Sequence, residues 1–77
     1  MKVDIYIGTQ DGYRESGGET VGIGLTRIDE IAKIIEQYTP LSYVEAAEKV
    51  TAMIEHGECL ETNPYSGTDI LWLEEAM

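Results

Sequence analysis

The sequence predicts a small α+β domain in the order β-β-α-α-β-β, an antiparallel or mixed sheet with two helices packed on one face. Three observations predict it. Val3, Ile5 and Ile7, then Val21, Ile23 and Leu25, alternate with other residues, the period-two signature of strands with one apolar face. From Ile28 to Ile54 the apolar residues recur three and four positions apart, which is the helical period. A chain of 77 residues has the length of a single domain spanning 1–77.

The first strand is read over Val3 to Ile7. Gly8 to Glu19 is rich in turn residues, and Asp11-Gly12 and Gly17-Gly18 each suit a tight reversal. This stretch is either one long loop or two turns around a short strand from Tyr13 to Ser16. In the second strand, Gly22 and Gly24 fall opposite Val21, Ile23 and Leu25, where they allow a twist, a bulge or a close backbone approach.

Thr26-Arg27-Ile28-Asp29 has the form of a capping box, with Asp in place of the more usual Glu or Gln. The helix after it is expected to bury Ile28, Ile31, Ile35 and Tyr38, to pair Asp29 with Lys33, and to stop before Pro40. Ser42-Tyr43-Val44-Glu45 is a stronger box. It opens a second helix with an expected inner face of Tyr43, Ala46, Ala47, Val50, Met53 and Ile54, ended by Gly57. Cys59 to Thr62 reads as a short strand, Asn63 to Gly67 as a turn, Thr68 to Leu73 as the last strand, and Glu74 to Met77 as a frayed end. Trp72 is expected in the core.

Composition restricts the function classes. Fifteen carboxylates face five basic side chains, a net charge of −10, which disfavours direct contact with nucleic acid or an anionic membrane. No apolar run approaches the 18 or so residues that span a bilayer. The opening MKVDIYIG is too short in apolar residues for a signal peptide and is interrupted by Asp4. A single cysteine, Cys59, excludes an internal disulfide, and a cytoplasmic location follows most easily.

No catalytic, cofactor-binding or metal-binding residue is assigned. His56 and Cys59 are close in sequence, but structural zinc needs four such ligands, and a catalytic site with two histidines is impossible with one. A Cys-His nucleophilic pair has no visible third group to orient it. Gly22-Ile23-Gly24-Leu25-Thr26-Arg27 lacks the third glycine of a dinucleotide fingerprint, and no phosphate-loop motif occurs. Asp4, Asp11, Glu15 and Glu19 do not match a calcium-loop spacing. No enzyme is expected from this inventory.

The acidic surface is the stronger signal. Glu45, Glu48 and Glu55 follow helical spacing on the second helix, the last two roughly 10 Å apart along the axis. Asp29, Glu30 and Glu36 add charge to the first helix, and Glu58, Glu61, Asp69, Glu74 and Glu75 to the final strands. Such a field can compete for a basic protein surface built to grip phosphates, which duplex DNA presents about every 1.7 Å of axis. The plainer reading is a solvated surface that keeps the domain soluble and its sheet edges apart. Tyr13 and Tyr65, in turn-rich segments, are the aromatic candidates for the centre of an interface with rim charges around it.

In size and charge the chain resembles the compact acidic inhibitors that phages direct against restriction or CRISPR defence. The resemblance is one of type, without a family motif. It assigns neither a target nor a mechanism. The net charge of −10 beside exposed aromatic candidates leads to the expectation of a small protein-binding module, an inhibitor that occupies the nucleic-acid-binding surface of its target through Tyr13, Glu45, Glu48, Glu55 and Tyr65. The alternative is a structural or regulatory subunit that forms a homo- or hetero-oligomer through its aromatic surface.

Overall fold

The computed structural model describes residues 2–9, 19–62 and 69–76, without the side chains of Thr9 and Asp69. Strands β1 (Val3–Thr9) and β4 (Asp69–Glu75) pair at the centre of a sheet, flanked by β2 (Glu19–Leu25) and the two-residue β3 (Leu60–Glu61). The strand order is β2-β1-β4-β3, with every pair antiparallel. Helices α1 (Ile28–Tyr38) and α2 (Tyr43–His56) join the two hairpin halves. The predicted element order and fold class are therefore found, with a fully antiparallel sheet.

The central ladder runs without interruption from Val3 opposite Glu75 to Thr9 opposite Asp69. Beyond it the Ala76 N–H donates to the Lys2 carbonyl at 2.7 Å. Glu74 and Glu75 are thus strand residues, not the frayed end predicted from their composition. Pairing with a central strand satisfies backbone groups that local propensity alone leaves open. The third strand is shorter than predicted, Leu60–Glu61. The turns placed at 11–12, 17–18 and 63–67, and the optional strand at 13–16, lie outside the described residues.

β2 departs from simple alternation. Its register against β1 shifts between Val3 and Ile5 and again between Ile5 and Tyr6. Gly24 adopts a φ of 62°, a left-handed conformation that glycine reaches without a Cβ penalty. The Asp4 carboxylate fixes this irregularity by accepting the Gly24 N–H at 2.8 Å. The bulge turns Ile23 outward, 76% exposed, against the expected inward face. Gly22 instead opposes Ile5, and a Cβ there would lie 3.0 Å from Ile34 Cδ1 and Leu25 Cδ1. The glycine makes room for α1 to lie close on the sheet.

The core lies between the sheet and both helices. Val3, Ile5, Leu71 and Leu73 from one sheet face meet Ile31, Ala32 and Ile35 of α1 and Ala46, Val50 and Met53 of α2. Leu60 closes one side. Ile28, Tyr38 and Tyr43, expected inside, are exposed. Each occupies the first or last turn of its helix, while Ile34 takes a flanking position against the core. Trp72 is buried, but on the opposite sheet face. There it stacks on its cross-strand neighbour Tyr6, with ring centroids 5.8 Å apart and planes at 19°, a geometry that adds to burial alone.

Candidate protein-binding face

The second helix has its ends set by its own residues: a capping box at its start and a left-handed glycine at its end. Pro40 has no N–H to extend α1, which ends at Tyr38. There the Thr39 hydroxyl and N–H both donate to the Ile35 carbonyl. Ser42 then opens α2. Its hydroxyl accepts the Glu45 N–H at 3.3 Å, and Glu45 Oε1 accepts the Ser42 N–H at 3.0 Å. The predicted box is complete, and two donors without helical partners are satisfied reciprocally. At the other end Gly57 takes φ 65°, ψ 26°, the left-handed C-terminal conformation expected of it.

The three glutamates singled out from the sequence are all exposed on this helix, but they are not equivalent. Glu45 is held by the cap. The backbone hydrogen bond from Ser42, and then the side-chain one, keep its carboxyl below the ordinary glutamate pKa, with slight burial opposing. Its charge is retained while its geometry is committed to the helix start. Glu48 and Glu55 make no hydrogen bond or ion pair among the described residues and project from the solvent side of α2. The other two nominated residues, Tyr13 and Tyr65, lie outside the described residues.

Several remaining acids are compensated internally. Glu58 binds Lys49 at 3.0 Å, and Asp29 binds Arg27 at 3.1 Å. The second pair replaces the expected Asp29–Lys33 contact. It also explains why the predicted box at Thr26 does not form: α1 begins after Arg27 with no side-chain cap, and the short Asp29 side chain turns to the guanidinium. Glu30 and Glu36 on α1 remain exposed, as do Glu61 and Glu75 on the sheet.

On the sheet face away from the helices, Asp4 and Glu74 stand directly opposite one another. Like charges in that arrangement repel. Each is offset by donors: Asp4 by the Gly24 N–H and a long 3.5 Å contact from the Tyr6 hydroxyl, Glu74 by Trp72 Nε1 at 2.9 Å. Burial, followed by the two carboxylates and the hydrogen bond to Asp4, raises the Tyr6 phenol above its usual pKa. These groups are occupied with each other and with the bulge.

Exposed apolar side chains complete the helical face. Val44 is 63% exposed, and Tyr38 and Tyr43 are also exposed. All three lie at the end of the helical layer where α1 passes into α2, beside Glu45 and one turn before Glu48. The sequence reading missed Val44 as a surface residue. The signal was present, because Val44 falls off the stripe of Ala46, Ala47, Val50, Met53 and Ile54. His56 is exposed and Cys59 half-buried, its thiol 3.8 Å from the Gly57 carbonyl. Among the described residues no three His, Cys, Asp or Glu side chains gather closely enough to hold a metal ion, and no helix is long and apolar enough to cross a membrane. No protein-family model, curated protein or solved structure matches the chain.

Proposed function

We propose that this chain is a protein-binding module that presents the outer face of α2 to a cationic surface of its target. One observation carries the proposal. Glu48 and Glu55 stand on a capped helix, without an ion-pair partner among the described residues, and Val44 is exposed one turn before Glu48. Carboxylates on a fixed helix favour encounter with a basic patch, and adjacent apolar groups supply area that water leaves on docking. The net charge of −10 extends the attraction beyond the contact itself.

A target surface of this kind is one that otherwise grips phosphates. The chain then acts as an inhibitor by occupying it; in size and charge it is similar in type to phage inhibitors of restriction or CRISPR defence. Affinity capture from a relevant lysate, with identification of the bound protein, tests this reading. The captured protein is expected to be basic and to bind nucleic acid, and a duplex oligonucleotide is expected to displace the chain competitively. Capture of only non-specific proteins that elute together at slight salt, or indifference to the competing duplex, contradicts it.

A second reading has its own support in Tyr38, Tyr43 and Val44, exposed around one helix connection. In it the chain is a structural or regulatory subunit that associates through this aromatic end. Sedimentation over a concentration series shows self-association in that case, and Tyr43→Ala with Val44→Ser abolishes it. A monomer at every concentration removes the homo-oligomeric form of this reading.

A further inference from the structure

A groove of about 160 Å³ lies between the start of α1 and the second half of α2, lined by Ile28, Val50, Thr51, Ile54 and Glu55. Its volume suits one long side chain. Its apolar lining is aliphatic, and Ile28 is left 48% exposed there, while Thr51 and Glu55 are its polar members. An aliphatic trough ending in a carboxylate is complementary to a side chain with an apolar stem and a cationic head. The cations next to the lining residues in sequence have other partners: Arg27 pairs with Asp29 at 3.1 Å and Lys49 with Glu58 at 3.0 Å.

We infer that this groove receives an arginine side chain of the partner. The inference rests on the reading of α2 as the docking face and names the anchor that the face accepts. The methylene stem lies along Ile28, Val50 and Ile54, and the guanidinium reaches the Glu55 carboxylate, with the Thr51 hydroxyl as a second acceptor. Arginine fits better than lysine because its planar fork matches a carboxylate in two-point contact and is more weakly hydrated than an ammonium group. Burial of the stem excludes water from the ion pair, which raises its worth above that of a freely solvated contact.

Amide shifts of the ¹⁵N-labelled protein, titrated with a blocked pentapeptide carrying one central arginine between glycine and serine, test the inference. Shifts are expected to saturate at millimolar peptide and to centre on Ile28 and on Val50 to Glu55. The same peptide with citrulline, uncharged and nearly isosteric, should bind at least about threefold more weakly, as should the lysine peptide. Ile28→Ala and Glu55→Gln should each weaken the arginine peptide by about threefold, the scale of a partly exposed ion pair or a modest apolar contact. Both side chains are exposed, and the unchanged remainder of the amide spectrum verifies the fold of each variant. Equal binding of the citrulline or lysine peptide overturns the inference. So do shifts spread evenly over Glu30, Glu36 and Glu75, or an Ile28→Ala variant that binds as wild type. If the groove fails while a captured basic protein is still displaced by duplex DNA, only the arginine anchor is lost. If the groove binds and no such protein is found, the broader reading fails alone.

Discussion

The two helices share a core but are held in different ways. α1 has no side-chain cap at its start and depends on Ile31, Ala32 and Ile35 packed against the sheet. α2 has a complete box at Ser42 and Glu45 and a left-handed glycine at its end. A helix of 11 residues such as α1 is marginal in isolation, so its persistence is a tertiary property. α2 adds local bonds at its start to its packing, whereas α1 has its local bonds at its end, from Thr39 to the Ile35 carbonyl. The helix that opens on a complete box is also the one that carries Glu48 and Glu55, which have no partners among the described residues. A helix already formed before docking lowers the ordering cost of binding, and the contrast between the helices gives the functional proposal its tests.

The largest expected effects are in the shared core, where the helices should behave alike. Ile35→Ala in α1 and Met53→Ala in α2 should each destabilise by about 2–5 kcal/mol, the range for truncating a fully buried aliphatic side chain. In a domain of this size that is a large share of the total stability. Denaturant unfolding checks both, and a loss below about 1 kcal/mol at either site would show that the core tolerates collapse there.

The caps should separate the helices. Ser42→Ala should cost about 1 kcal/mol, whereas Thr26→Ala should stay within about 0.5 kcal/mol, as for surface changes without a structural role. Equal losses in thermal unfolding would mean that Thr26 caps α1 in solution after all.

A smaller effect concerns acid. Because the folded-state pKa of Glu45 is depressed by its bonds to Ser42, the native state binds fewer protons there than the unfolded chain. The associated stability is fully present above the unfolded value near 4.5 and is lost as pH falls through the lower folded value. Glu45→Gln should therefore flatten part of the acid limb of a stability–pH profile below the usual glutamate pKa and leave its shape near neutrality unchanged. An acid limb identical to wild type would contradict the cap's electrostatic role.

Much of this was legible in the sequence where local chemistry decides the outcome. Pro40, the Ser42–Glu45 box, Gly57 and the stripe of Ala46, Val50 and Met53 act through neighbours within a few positions. What was misread depends on distant partners. Glu74 and Glu75 join a strand because Asp4 and Val3 stand opposite them. Ile23 turns outward because β2 bulges, and no alternation pattern announces a register shift. Ile28 and Tyr43 follow the helical period, yet each is the first residue of its helix and is left exposed. For the binding face, the positions of Glu48 and Glu55 were readable. The box at Glu45 was readable too, and Asp29 was expected to pair, though with Lys33 and not Arg27; the pairing of Glu58 with Lys49 was not. The groove at Ile28 and Ile54 arises from two segments far apart in the chain.

The most direct test compares two charge reversals that alter net charge by the same amount. Glu48→Lys with Glu55→Lys changes α2, and Glu30→Lys with Glu36→Lys changes α1, all four side chains being exposed. Affinity for the basic protein identified by capture should fall by at least about tenfold in the α2 variant, or about 1.4 kcal/mol, and by no more than about twofold in the α1 variant. Equal losses in the two would mean that overall charge, not the face of α2, governs recognition.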